Sequence, residues 1–407
     1  MKVLLSHSGK QHSYHVAKAL DDLGYLEKFY TSGYITSRRL QDVVTKSGNQ
    51  YWSRRFIRGI HGNKVESNWR FEIKENVYNR IYGQSPETVK AVFDRDTNFD
   101  NYIAGKMHQL KGDLFWGFQG SCFNSLQAAR RNGKMTICEL SGVHAPTAMR
   151  LLKEEETLQP EWSESLKSLN FPDEYYERMI SEPHLADIVI GASPFTLQSL
   201  HESGISPAKT RLLPLGFEID HIEFRLKARP VRPFRLAFVG RITQSKGIRY
   251  LLEAIKQFDS RQVELHLIGY VQGSEDELNR YKPYFVRHEP MAQYELFRKY
   301  QEFDAFILPS ICEGFGLALL EAMAAGLPAI TTPNSIGPEL IEDDYNGYIV
   351  PIRDTNAITL SIRRLLSKSD IELSEMRRNA RETAKKFSWD AYGIRLKEVL
   401  DRGFHEQ

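Results

Sequence analysis

The sequence predicts an α/β protein made of two doubly wound halves, each a parallel sheet covered by helices on both faces. Three observations predict it. Short apolar runs alternate with stretches of helical spacing along all 407 residues, the pattern of parallel strands joined by crossover helices. The runs fall into two series, and at roughly 100–200 residues per domain two domains is the natural expectation for this length. Between the series lies Lys227–Phe234, with two prolines, three cations and little to bury. Proline removes backbone donors and keeps its predecessor out of the helical region, so this segment reads as a linker.

The first series predicts strands at Val3–Ser6, Phe29–Thr31, Leu114–Phe118, Met135–Glu139, Ile188–Gly191 and Arg211–Pro214. The second predicts Leu236–Val239, Glu264–Ile268, Phe285–Arg287, Ala305–Leu308, Ala329–Thr331 and Gly347–Val350. Helical spacing is clearest at Ile248–Phe258 and Met291–Gln301, and a last helix is expected over Trp389–Leu400. The expected domains are residues 1–227 and 234–385, with 386–407 a C-terminal helix packing back toward the first domain.

Composition excludes several classes. With 54 Lys and Arg against 52 Asp and Glu, the net charge of +2 gives no electrostatic case for a nucleic-acid partner. Cys122, Cys138 and Cys312 form no CxxC and suit a reducing compartment. No Cys/His cluster has zinc-ligand spacing. The N-terminal apolar run meets His7 and Lys10 too early for a signal peptide, and no run is long enough to span a bilayer. The expectation is a cytoplasmic protein, with the inner membrane face as a peripheral surface.

Two segments carry chemistry. The first, Val239-Gly240-Arg241-Ile242-Thr243-Gln244-Ser245-Lys246-Gly247-Ile248, follows a strand and leads into a helix. Gly240 permits a tight turn and a close approach of backbone to ligand. Arg241 and Lys246 place two cations on one short loop, and the helix start adds a partial positive charge. Together they suit a diphosphate. The second, Glu313-Gly314-Phe315-Gly316-Leu317-Ala318-Leu319-Leu320-Glu321, follows the strand Ala305–Leu308 and opens another helix. Its glycines expose backbone N–H groups at a helix start, a ready anion site. Glu313 sits in the loop and Glu321 roughly 7.5 Å along the helix, so two carboxylates could accept hydrogen bonds from one polyhydroxylated ligand.

Val-Gly-Arg…Lys-Gly followed by Glu-x7-Glu resembles the retaining glycosyltransferases of family 4 (glycosyl transferases group 1), which have the GT-B fold. That fold is two Rossmann-like domains facing each other across a cleft. The likeness extends through Asn346-Gly347-Tyr348-Ile349-Val350-Pro351 and Phe387-Ser388-Trp389, and more weakly through Ser8-Gly9-Lys10-Gln11-His12-Ser13 and Gly142-Val143-His144. The resemblance implies transfer of a hexose from a nucleoside-diphosphate sugar, of uridine or guanosine, to a hydroxyl acceptor. It implies retention of anomeric configuration, no cofactor and no metal. By the same resemblance Arg241 and Lys246 neutralise the donor diphosphate, with backbone near Gly316 and Leu317. Glu313 contacts the transferred sugar and Glu321 holds the ribose. Gly9 closes over the diphosphate from the other domain, and His144 stands near the reacting sugar.

His12 is the best placed of the histidines around the first loop for a donor or acceptor contact. This chain also departs from the family pattern. It has Ser335-Ile336-Gly337-Pro338-Glu339 where many members have Gly-Gly before Pro-Glu, and one glycine rather than two in the first loop. Both departures weaken any guess about the donor sugar.

A metal-dependent transferase would use a DxD. The one present, Asp94-Arg95-Asp96, follows no apolar strand and reads as a solvated helix end or loop. Residues 34–82 carry ten Lys and Arg against four acids, interleaved with Tyr51, Trp52, Phe56, Trp69, Phe71 and Tyr78. That mixture suits an anionic membrane surface or a lipid-linked acceptor, and equally a solvated helix pair whose aromatics face the core. Cell-envelope polysaccharide or glycolipid synthesis is the family-level expectation. A GT-B epimerase of sugar nucleotides and a non-catalytic partner subunit are the competing readings. A dehydrogenase is excluded because no G-x-G-x-x-G follows a strand with an acid about 20 residues on.

Overall fold

The computed structural model describes residues 1–83, 86–169, 172–226 and 233–405. Most of the linker read at Lys227–Phe234 lies outside the described residues. The chain forms two parallel sheets. The first has seven strands in the order β3-β2-β1-β4-β5-β6-β7: β1 (Val3–His7), β2 (Leu26–Thr31), β3 (Val65–Ser67), β4 (Leu114–Phe118), β5 (Met135–Leu140), β6 (Ile188–Gly191) and β7 (Thr210–Leu212). The second has six in the order β10-β9-β8-β11-β12-β13: β8 (Phe234–Val239), β9 (Val263–Ile268), β10 (Phe285–His288), β11 (Ala305–Leu308), β12 (Ala329–Thr331) and β13 (Gly347–Ile349).

Central strands such as β1, β4 and β11 are buried along their whole length. Both of their faces are covered by helices, which is why they read as continuous apolar runs. Val3 and Leu5 join one core of the first sheet and Leu4 the other, as the two-residue period of a strand requires. Sequence order reverses between β1 and β4, and again between β8 and β11. At such switch points the loops after neighbouring strands diverge and leave a crevice at their carboxyl ends.

The helix Trp389–His405 returns to the first sheet. Its Tyr392, Leu396 and Leu400 are buried in that core, and the Trp389 ring stacks on His15 at 3.9 Å. Leu151 and Trp162, early in the chain, pack instead into the core of the second sheet.

The structure corrects three local expectations. β3 was not anticipated; it is an edge strand of three residues inside the basic segment. Asp94–Asp96 lies in the middle of the helix Pro86–Lys106, not at a helix end or in a loop. Nor is Asp96 solvated: it is buried, accepts a hydrogen bond from Ser8 Oγ at 2.5 Å and pairs with Arg95. Its carboxylate is thus committed to holding the first loop. Finally, the helix from Ile248 ends at Ile255, short of Phe258.

Candidate functional site

The two sequence signatures occupy the two loops at the switch point of the second sheet, after β8 and after β11. They are built against each other. Gly247 has φ +72°, and a Cβ there would lie 2.1 Å from the Pro309 carbonyl oxygen, so only glycine fits. The backbone N–H groups of Ile311 and Cys312 both donate to the Ser245 carbonyl, at 3.0 and 3.2 Å. This apposition brings the Lys246 ammonium into contact with the Glu313 carboxylate, both largely buried. Burial and then the Arg241 guanidinium push the Lys246 ammonium down, to about 8. The nearby Cys312 works against that shift. Arg241 is exposed, and its Nη1 donates to Gln272 Oε1 at 3.4 Å. The two loops together therefore hold two neighbouring cations, of which Lys246 is paired with a carboxylate.

Gly316, at φ +93° and three residues after Glu313, caps the helix Leu317–Ala324. A three-residue turn, Gln244–Lys246, precedes the other helix, which begins at Ile248. Glu321 lies on the fifth residue of its helix. Burial raises its carboxyl to about 7, opposed by hydrogen bonds from Gln293 Nε2 at 3.2 Å and Tyr300 Oη at 3.5 Å.

The opposite wall comes from the first sheet. The loop after β5 passes so close that a Cβ on Gly314 would lie 2.4 Å from the Ser141 carbonyl oxygen and 2.5 Å from Gly142 Cα. Between the walls is a cavity of about 290 Å³. It is lined by Val143, Met149, Tyr176 and Met179 on one side and Arg241, Lys246, Cys312, Glu313 and Gly314 on the other. Arg241, Lys246 and Glu313 thus come together there, whereas Glu321 stands outside this cavity, farther along its helix.

His144 is not where the expectation put it. It precedes the helix Ala145–Leu158, and its ring turns away from the cavity into the protein. There its Nδ1 meets Ser203 Oγ at 2.9 Å, and burial pushes its basicity down to about 4. In this conformation the ring is fully buried, with Ser203 beside its Nδ1 and no hydrogen-bond partner on its Nε2 among the described residues. His12 is tied to the N-domain wall by a 2.6 Å contact of Nε2 with Glu139 Oε1, whose other oxygen accepts from Trp116 Nε1 at 2.9 Å. Gly9 sits on a folded first loop, its N–H donating to His7 Nδ1 at 2.7 Å.

Sequence reasoning missed the buttresses of this site. The fully buried Gln244 in the first signature donates to Glu155 Oε1 at 2.7 Å, and Glu155 also pairs with Arg353. Ser165 binds the same loop twice: its carbonyl accepts from Thr243 Oγ1 at 2.7 Å and its Oγ accepts from Gln244 N at 2.9 Å. These partners lie 78 to 89 residues apart in sequence, and no local pattern signals them. Among the described residues no group of three or more His, Cys, Asp or Glu is arranged to hold a metal ion. Among the same residues no helix is long and apolar enough to cross a membrane.

Residues 233–368 match the family model described as glycosyl transferases group 1. The amylovoran biosynthesis glycosyltransferase AmsK of Erwinia amylovora is 27% identical over 247 residues, which span 56% of this chain and 58% of that protein. The chain thus matches little more than half the length of such a relative. Among solved structures, sucrose-phosphate synthase from Thermosynechococcus elongatus aligns over 100% of both chains with a TM-score of 0.64 at 20% identity. Anabaena Alr3699/HepE, solved in complex with UDP, aligns over 99% of this chain and 100% of its own with a TM-score of 0.63 at 16% identity. The fold is GT-B.

Proposed function

We propose that this chain transfers a hexose from a nucleoside-diphosphate sugar, with uridine the favoured base, to a hydroxyl of a saccharide acceptor in envelope polysaccharide synthesis. The observation that carries the reading is the Arg241–Lys246–Glu313 cluster at the switch point, beside the N-terminus of the helix Leu317–Ala324. The relative named for amylovoran biosynthesis and the neighbour crystallised with UDP support it.

In this reading the donor diphosphate lies against Arg241, Lys246 and the backbone around Gly316 and Leu317. As the glycosidic C–O bond breaks, negative charge grows on the leaving diphosphate. Lys246 and the helix start, already fixed by packing, stabilise it with little reorganisation, and Arg241 adds its charge from the rim. Each charge-assisted contact is worth about 1.5–3 kcal/mol. These groups supply the charge that a divalent ion would otherwise bring, so the reaction runs without metal. Glu313, held by Lys246, accepts hydrogen bonds from hydroxyls of the transferred sugar, and Glu321 accepts from the ribose diol. Among the described residues lining the cavity the one carboxylate is Glu313, and in this reading it is engaged with the sugar rather than acting as a nucleophile. The acceptor then attacks on the same face from which the diphosphate departs, its proton passing to a leaving phosphate oxygen, and configuration is retained.

The chain works at an anionic membrane surface in this reading. Ile73, Val77 and Ile81 form one exposed ridge on the helix Arg70–Tyr82, at 61%, 45% and 65% exposure. Arg70 and Arg80 lie on the same helix, and such a mixture settles at the headgroup boundary.

The test is nucleotide release from a panel of UDP- and GDP-hexoses with chelator present, with product anomers assigned by NMR. Arg241→Ala and Glu313→Ala should each lower turnover by tenfold or more while remaining folded. Unchanged turnover in both, or activity abolished by the chelator in the wild type, would refute this assignment of the site.

A further inference from the structure

A second cationic site lies on the first sheet, at the carboxyl ends of β1 and β2. Lys10 belongs to the loop after β1, and Arg54 and Arg55 follow the short helical turn Gln50–Ser53. Among the described residues neither Lys10 nor Arg54 has a carboxylate partner. The adjacent acid, Glu72, is already taken: it pairs with Arg55 at 2.8 Å and accepts from Ser32 Oγ at 2.6 Å. Three other buried or part-buried arginines are each matched by carboxylates. Arg95 has Glu75 and Asp96, Arg178 has Asp100 and Glu182, and Arg377 has Asp304. Here the charges are gathered and left open. The cost is visible in Lys10, whose ammonium is pushed down to about 8 by burial and then by Arg54 and Arg55.

The arrangement is also preorganised. Arg55 is fixed by Glu72 and by stacking over the Tyr51 and Trp69 rings at 5.3 and 5.4 Å. Trp52 lies 6.0 Å from Trp69, and Tyr51 and Trp52 are 50% and 41% exposed. An exposed aromatic platform beside cations suits a sugar ring or an apolar chain attached to an anion. β1 and β5 are two strands apart in the sheet, about 10 Å at normal strand spacing. The β5 loop is the one that touches Gly314. The cations therefore stand at the same end of the first sheet as the loop that meets Gly314.

We propose that Lys10, Arg54 and Arg55 bind the phosphate or diphosphate group of a phosphorylated acceptor, whose saccharide then lies over Tyr51 and Trp52 toward Glu313. A phosphate offers three strong acceptor oxygens to a fork of guanidinium donors and an ammonium, which a neutral saccharide does not. The word acceptor rests on the transferase reading; the anion site itself does not.

The experiment is calorimetric titration of inorganic pyrophosphate into the full chain saturated with UDP. The wild type should bind one further pyrophosphate. Arg54→Ala, at an exposed position that does not threaten the fold, should weaken that event roughly ten- to a hundredfold. Lys10→Met should do likewise, and Arg241→Ala should leave it in place. Acetate at equal concentration should not compete. Vesicles of phosphatidylcholine with polyisoprenyl diphosphate resolve the source. Competition with pyrophosphate assigns the group to a lipid-linked acceptor; its absence assigns it to a soluble phosphorylated one. No further binding, or binding indifferent to both Arg54→Ala and Lys10→Met, overturns the proposal. Should UDP fail to bind at all, the donor reading fails, and pyrophosphate binding to Arg241→Ala still reports on this second site.

Discussion

Glu321 separates stability from function most sharply. Its carboxyl is raised from the ordinary value of 4.5 to about 7, chiefly by burial. Each tenfold in proton affinity is worth about 1.36 kcal/mol, so the gap between 4.5 and 7 amounts to about 3 kcal/mol. The folded state binds this proton more tightly than the unfolded chain does. Stability from this group is therefore complete below pH 4.5, falls as pH rises, and is lost above pH 7. Glu321→Gln removes the buried charge and keeps both contacts: its amide oxygen can face Gln293, and its amide nitrogen can donate to Tyr300. At pH 8 the variant should be more stable than the wild type by up to about 3 kcal/mol, and at pH 5 by less than about 1. For a domain of about 150–250 residues each kcal/mol moves Tm by roughly 2–4 °C, so thermal unfolding at the two pH values resolves the difference. Nucleotide affinity should move the other way, weakening roughly ten- to a hundredfold as a charge-assisted bond to the ribose becomes a neutral one. A variant that is less stable at pH 8, or that binds UDP as tightly as the wild type, would refute the assignment of this carboxylate to the ribose.

Two further outcomes follow from other contacts. Arg353 pairs with Glu155, which is fully buried, and with Glu154, which is exposed. Arg353→Met leaves a buried carboxylate with only Gln244 and Tyr250, a loss of about 3–5 kcal/mol, whereas Glu155→Gln leaves a cation that still reaches Glu154 and water; equal or reversed losses in thermal denaturation would contradict this. Val77→Asp, at an exposed position on the apolar ridge, should abolish co-sedimentation with phosphatidylserine vesicles while leaving the fold intact; unchanged sedimentation would remove the membrane surface from the reading.

Much of the architecture was legible because its strands are buried on both faces. β4, β6, β11 and β12 begin and end where the apolar runs do. β3 was not legible. An edge strand of three residues with Glu66 at its centre carries no run and no alternation. The basic segment around it is not a helix pair whose aromatics all face the core. Phe56 is buried, Tyr51 and Trp52 are exposed, and Trp69 lies between. The cleft residues were readable where a loop of a few residues carries the chemistry, as with Arg241, Lys246 and Glu313.

His144 shows where that kind of reading stops. Its position after β5 is visible in sequence, but its ring meets Ser203 and its backbone N–H donates to Ser199, both more than 50 residues away. The main-chain segment before it, Ser141–Gly142, is what meets Gly314. The same limit governs the phosphate-facing loop itself. Its cations are local, yet its shape is held by Ser165 and Glu155, which come from the first half of the chain. A loop clamped from both sides of the molecule can present fixed charges to a developing diphosphate, because the reorganisation that water would need has already been met by folding. Charge type was therefore legible, and preorganisation, on which the proposed catalysis depends, was not.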